Sequence, residues 1–436
     1  MIEWNVLLLV FLMMLGLRLF VKWLLSGLNI AYLTRHGAEV PGVFAGEIDQ
    51  GTLRRMRDYT VSLARFGHVE DFLTDGLVLS LLLTGSFSWL VSQVESLDLA
   101  FVLRGNLFWL ILLLGGTVLE IPLDFYRTFV IEKKYGFSTI TVRLWLADLF
   151  KTTVISVCLM VIFMTVLFIL LRQLPNTWWL WAWVAFSLLQ LLLSWLYPVL
   201  IAPLFNRYVP VQDGALRDRI MALAERAGIR AKGVFQVDAG KRSRHTNAYF
   251  TGLGRTKRIV LYDTLVEVHD RGEILSILGH EIGHWKKKHV LKQIVTMECV
   301  ALFILGGSFL LLEWPLLYRT FGFPPQAPYA GLFLVFLLAK PLFFFLKPFM
   351  AVISRKYERE ADRFAVDMIG TGEDLARAMK RLAKDNLANL HPHPFYAWFY
   401  YSHPPLAQRI ATLQNMSGRD VNAGFHGESG VKTGRC

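Results

Sequence analysis

Residues 272–289 read GEILSILGHEIGHWKKKH. The pattern predicts a helix carrying an H-E-x-x-H motif, from Gly272 to about His289. Residues four apart share a helical face, so His280 and His284 can reach one ion. Neutral imidazole suits Zn²⁺. Glu281 lies off that face but beside the first ligand, where it can accept a proton from water at the metal. Trp285 to Lys288 reads as solvated or interfacial surface.

A catalytic zinc takes a third protein ligand and keeps one position open. Residues 354–362 read SRKYEREAD. Glu358 and Asp362 are one turn apart, so Glu358 can bind the metal while Asp362 takes the N–H of a ligand histidine. Glu360 points elsewhere on the same helix. An ordinary charged helix face, with Arg355, Lys356, Arg359 and Arg363, is the other reading, and spacing alone leaves both open.

The motifs sit in a chain of 436 residues that is 54% hydrophobic and only 18% charged. Its mean hydropathy of +0.42 places much of it in lipid. A span needs about 20 apolar residues. Candidate runs are 5–26, 76–94, 105–123, 152–172, 177–202, 293–313 and 329–350. Arg18 and Lys22 fall in the first, either snorkelling or facing other helices. Glu120, Glu298 and Lys340 lie in or near later runs, where charge faces a bundle interior, a wet cavity or a span end. Cations concentrate in alternate loops, which places the N-terminus outside and the C-terminus in the cytosol. The net charge of +12 is then orientation charge, and nucleic acid is not an expected partner. Cys158, Cys299 and Cys436 form no spaced framework. The N-terminal run has no small-residue cleavage site, so it reads as a span and not as a cleaved signal.

Two stretches read as folded outside lipid. Asp213 can cap a helix from Ala215 to Ala227, stopped by Gly228. Strands follow at Val234–Asp238, Thr246–Thr251 and Arg258–Tyr262, and helices resume over 351–412. If Thr246–Thr251 is an exposed edge, Asn247 and Tyr249 share one face and an extended peptide can pair with the strand. A buried internal strand is the alternative. His391 and His393 each precede proline and read as a structural turn. The expected domains are a membrane section of about five spans over 1–206, a metallopeptidase domain with two further spans over 207–416, and a disordered tail over 417–436.

Taken together, the sequence resembles the integral-membrane CAAX prenyl protease 1 family, with the compactness of a bacterial-type relative. The marks are Glu132 to Phe137, Tyr197-Pro198, Pro203 to Asn206, Asn247 to Phe250, His280 to Trp285, Glu358 with Ala361 and Asp362, Asn389 to Pro394, and Ser402 to Leu406 with Arg409. Arg359 stands where the family often has an aromatic residue. The resemblance implies about seven helices enclosing a chamber, with a small α+β zincin-like domain on the cytosolic side. It implies Glu358 as third zinc ligand beside His280 and His284, Glu281 as base, His403 as oxyanion stabiliser, and Asn247 holding substrate or oxyanion. The implied reaction removes three residues from a C-terminal CAAX sequence by zinc-activated water. The substrate is a peptide or protein, prenylated or membrane-bound. The membrane is the plasma membrane of a bacterium or the endoplasmic reticulum of a eukaryote. A host without prenylation needs another substrate, and membrane-protein quality control is the alternative. A seven-span receptor or transporter is the rival of another class, and would leave His280 and Glu358 without a role.

Overall fold

The computed structural model describes residues 2–252, 257–325 and 327–424, with 417–424 described by backbone alone. In lipid the backbone must satisfy its own hydrogen bonds, so long apolar runs become helices. The first part of the chain forms α1 (Val6–His36), α2 (Gln50–Leu83), α3 (Ser86–Glu95), α4 (Phe101–Tyr126), α5 (Val142–Gln173), α6 (Trp178–Leu196) and the short α7 (Ala202–Phe205). Helices α4 and α6 pass into π-helical turns at Arg127–Glu132 and Tyr197–Ile201. The rest of the chain forms α8 (Gly214–Arg226), α9 (Asp263–Val268), α10 (Arg271–Lys286), α11 (His289–Leu312), α12 (Pro315–Phe321), α13 (Pro328–Ile369), α14 (Glu373–Asp385), α15 (Pro394–Tyr400) and α16 (Leu406–Gly424). Helix α16 continues through 417–424, part of the expected tail, and 425–436 lie outside the described residues.

Among the described residues, six helices are long and apolar enough to cross a membrane: Val6–His36, Phe101–Glu132, Val142–Gln173, Trp178–Phe205, His289–Leu312 and Pro328–Ile369. The expected straight span at 76–94 is instead a pair, α2 and α3, bent by 61°. Gly85 at the break adopts φ +78°, a left-handed conformation that ends a helix.

The chain divides into two compact units. The first comprises Met1–Gly27, Val61–Phe205 and Leu291–Lys347. Its buried core includes Phe87, Phe108, Phe168, Tyr329 and Phe333. Arg18 does not snorkel: its Nη1 lies 2.8 Å from buried Asp75, whose other oxygen is 2.8 Å from Lys340 Nζ. Lys22 pairs with Asp71, and Glu298 accepts a hydrogen bond from Ser187. Each of these charges has found a partner, as burial in an apolar bundle demands. The N-terminus is tied to α12, with Glu3 N donating to Thr320 O at 3.0 Å and Asn5 Nδ2 to Thr320 Oγ1 at 2.8 Å.

The second unit comprises Leu28–Thr60, Asn206–Val290 and Pro348–Cys436. Leu28–Thr60 clusters here, although the sequence reading places it in the membrane section. Four strands, β1 (Tyr208–Pro210), β2 (Val234–Val237), β3 (Ala248–Thr251) and β4 (Arg258–Tyr262), form one sheet in the order β1-β2-β4-β3. β4 runs parallel to β2 (Val234 opposite Ile259) and antiparallel to β3 (Ala248 opposite Leu261). Among the described residues β3 is therefore an edge strand and not an internal one. Ile259 and Leu261 of β4 are fully buried with Leu265, Leu278 and Ile282. Asp213 caps α8, accepting from Leu216 N at 3.0 Å, and Gly228 ends it at φ +72°. His391 and His393 form the expected turn: His391 Nε2 contacts the Glu39 carbonyl at 2.6 Å, and His393 Nδ1 accepts from Phe395 N to cap α15.

Candidate metal centre

Helix α10 starts at a capping box. Asp270 Oδ1 accepts from Glu273 N at 2.9 Å, and Glu273 Oε2 from Asp270 N at 3.2 Å. Such caps contribute about 1 kcal/mol. The helix stops at Lys286, short of the expected His289. Lys288 turns the chain with φ 57°, and His289 opens α11.

Small residues let α10 lie on α13. A Cβ added to Gly279 would sit 3.6 Å from Ala365, and one on Gly283 only 3.0 Å from Ala361 Cα. Ala361 and Ala365 are buried. The glycines and alanines alternate with the polar residues of both motifs, so this contact sets His280 and His284 opposite Glu358 and Asp362.

His280, His284 and Glu358 offer one ligand atom each within 4.8 Å of one another. His280 Nε2 is 3.1 Å from His284 Nε2 and 3.3 Å from Glu358 Oε2, and His284 Nε2 is 3.3 Å from Glu358 Oε1. Two imidazole nitrogens and a carboxylate fit a divalent ion of the zinc type. Glu358 Oε2 is buried without a hydrogen-bond partner, as a metal-ligating oxygen would be. Glu360 is absent from the cluster, as the helix register predicts.

Asp362 Oδ1 lies 2.8 Å from His280 Nδ1. Arg409, at the start of α16, grips Asp362 with two hydrogen bonds, Nε to Oδ2 at 2.9 Å and Nη2 to Oδ1 at 2.6 Å. Its Nη1 also lies 3.3 Å from Glu358 Oε2. Burial opposes a charge on His280, but Asp362 and Glu358 outweigh it and raise its pKa to about 9. Burial also raises the Glu281 carboxyl, partly offset by His280 and His284.

A cavity of about 170 Å³ opens beside the cluster, lined by Asn247, His280, Glu281, Glu358, His403 and Arg409 among others. His403 Nε2 is 3.2 Å from Glu358 Oε1, and its Nδ1 is 2.9 Å from Ser402 Oγ. Asn247 immediately precedes β3. Its Oδ1 accepts from Ala248 N at 2.8 Å, which turns the amide NH₂ into the end available to a ligand. Tyr249 does not line the cavity; its hydroxyl lies 3.2 Å from that of Tyr208. Sequence reasoning gave Arg409 no role, because its partners lie 47 residues or more away and no local pattern links them.

The arrangement matches known proteins along nearly its whole length. Residues 29–207 match the model for the CAAX prenyl protease N-terminal region with five membrane helices, and 210–417 match peptidase family M48. The chain is 33% identical over 389 residues to CAAX prenyl protease 1 homolog of Arabidopsis thaliana, covering 86% of this chain and 90% of that one. It is 31% identical to CAAX prenyl protease 1 of Saccharomyces cerevisiae, with coverage of 92% and 97%. The chain belongs to peptidase family M48. The crystal structure of S. mikatae Ste24p superposes with a TM-score of 0.87 at 30% identity, covering 93% of this chain and 98% of that one. This M48 protein is an integral multi-pass membrane metalloendopeptidase. The receptor or transporter reading is thereby set aside.

Proposed function

We propose that His280, His284 and Glu358 hold one zinc ion and that the protein cleaves C-terminal CAAX sequences of prenylated or membrane-bound substrates. The convergence of these three ligand atoms at the wall of a cavity that also contains Glu281 carries the reading. When bound, zinc supplies Lewis acidity that makes water a nucleophile near neutral pH. Glu281 takes the proton that water gives up, and burial keeps its carboxylate basic enough for the task. The edge of β3 pairs with an extended substrate backbone, with Asn247 at its start and Tyr249 along its length. His403 and the Asn247 amide donate to the oxygen where negative charge develops. Asp362, fixed by Arg409, orients His280. The loop cations support a cytosolic site and an external N-terminus. The printed names of the relatives support CAAX processing as the reaction.

The test uses purified protein in detergent, a farnesylated CAAX peptide and the same peptide without its lipid. Wild type releases the last three residues of the farnesylated peptide, and Glu281→Gln keeps its zinc but loses nearly all turnover. Full turnover by Glu281→Gln would remove Glu281 as the base. Failure to cut either peptide at that bond, with cleavage of misassembled membrane proteins instead, would favour quality control.

A further inference from the structure

His289 lies outside the H-E-x-x-H motif, yet its ring lies against the second histidine. His284 Nδ1 is 3.1 Å from His289 Nδ1, and His289 Nε2 is 3.0 Å from Glu360 Oε2. An unbroken helix would not bring these rings together, because residues five apart point about 140° away from each other. The break at Lys287-Lys288 makes the contact. Lys288 adopts φ 57°, a conformation that costs a residue with a side chain about 1–2 kcal/mol. Tyr357 then stacks on the imidazole at 4.2 Å between ring centres and 11° between planes. His289 is only 1% exposed.

From this geometry we infer that His289 and Glu360 form a relay that positions His284 for the metal. The inference rests on the metal-site reading above. An imidazole that gives Nε2 to a metal carries its proton on Nδ1. That N–H on His284 requires an acceptor, and His289 Nδ1 is the atom in place. His289 must then carry its own proton on Nε2, where Glu360 accepts it. Each proton position in the chain Glu360, His289, His284 is thus fixed by the next. The other ligand histidine faces a carboxylate directly, with Asp362 Oδ1 2.8 Å from His280 Nδ1. The two ligands are therefore backed by carboxylates at different remove. Glu358, Glu360 and Asp362 all come from one short stretch of α13.

Partners of this kind change metal affinity by about 10–100-fold when lost. The experiment measures Zn²⁺ affinity by competition with a chromophoric chelator, the visible spectrum of the Co²⁺-loaded protein, and the melting temperature of metal-free protein. His289→Phe keeps the stacking surface but removes the acceptor. It should lower affinity about 10–100-fold and alter the Co²⁺ spectrum. His289→Asn places an oxygen where Nδ1 stood and should recover most of the affinity, although it cannot reach Glu360. Glu360→Gln retains an acceptor without charge and should have a smaller effect than His289→Phe. The metal-free melting temperature should stay near wild type in His289→Asn and Glu360→Gln. Wild-type affinity and spectrum in His289→Phe would overturn the relay. Equal losses in His289→Phe and His289→Asn, matched by falls in metal-free stability, would also overturn it in favour of packing alone. If His289→Phe does not fold, affinity in Glu360→Gln and His289→Asn decides, and a loss in His289→Asn as large as the 10–100-fold expected for a missing acceptor counts against the relay. His280→Ala serves as the separate control: wild-type affinity there would remove the metal site itself.

Discussion

Gly283 rests on the backbone of Ala361, so close that a Cβ at 283 would lie 3.0 Å from Ala361 Cα and 3.1 Å from its carbonyl oxygen. Backbone cannot move aside as a flexible side chain can, so Gly283→Ala must push α10 away from α13. Overpacking of this kind costs about 1–3 kcal/mol. Displacement along the same contact separates His280 and His284 from Glu358. Gly279→Ala should be mild, because its Cβ would meet Ala365 at an ordinary 3.6 Å. Metal content and melting temperature of the two variants check this. Equal behaviour would mean that the Gly283 contact does not set the ligand spacing.

The grouping of His280, His284 and Glu358, proposed to hold the metal, was legible because its information is local. His280 and His284 follow from one turn of helix, and Glu358 and Asp362 from another. Arg409 and His289 were not legible for different reasons. Arg409 reaches Asp362 only after the chain has passed through α14 and α15. His289 reads as the next turn of α10 until Lys288 adopts a left-handed conformation, which a run of three lysines does not announce. The membrane runs were legible from composition, but the bend after Leu83 depends on Gly85, one glycine within an apolar stretch. Strand alternation put Tyr249 on the face of Asn247, yet the cavity lies at the beginning of β3, and Tyr249 does not line it.

His269 links the second unit's stability to pH. It is buried against Glu273, with Nδ1 and Oε2 3.0 Å apart, and Arg381 lies 3.6 Å from the same carboxylate. Burial lowers the His269 pKa below its ordinary value, although Glu273 pulls the other way. The unfolded chain therefore binds a proton at about pH 6.5 that the folded chain refuses. Stability contributed here is full above that pH and falls on acidification, by at most about 1.4 kcal/mol per pH unit. Asp385 nearby has a carboxyl pushed up by burial, which acts in the opposite sense at lower pH. Denaturation midpoints at pH 7.5, 6.5 and 5.5 should fall with pH in wild type and fall less in His269→Asn. Parallel curves for the two proteins would rule His269 out as the source.

The N-terminus and α12 share hydrogen bonds between Glu3, Asn5 and Thr320, which supports the proposed topology in which both lie on one face of the membrane. If the bent pair α2 and α3 counts as one span, seven spans separate that face from the C-terminal helix. An impermeant label on a cysteine placed at Pro324 should react from outside intact cells or vesicles, and a reporter fused after Leu413 should be cytosolic. Finding both on the same side would mean that α2 and α3 do not cross together.

His403 and Asn247 approach the cavity from different elements, and neither belongs to the three-atom cluster of His280, His284 and Glu358. Metal occupancy should therefore survive removal of either. His403 lies 3.2 Å from Glu358 Oε1, so its loss also removes one neighbour from that carboxylate, but Arg409 and both ligand histidines remain in place. A donor lost from a preorganised oxyanion site raises the barrier by about 3–4 kcal/mol. That corresponds to roughly 10²–10³ in rate. A contact made only in the transition state lowers kcat and leaves KM nearly unchanged. His403→Ala should show that pattern. Asn247→Ala should lower kcat and raise KM as well, because the same amide stands at the start of the edge strand where substrate backbone would pair. Zinc content, kcat and KM of both variants in detergent, with the farnesylated peptide as substrate, make the comparison. Loss of zinc in His403→Ala would reassign His403 to support of Glu358, and an unchanged kcat in either variant would remove that residue from the reaction.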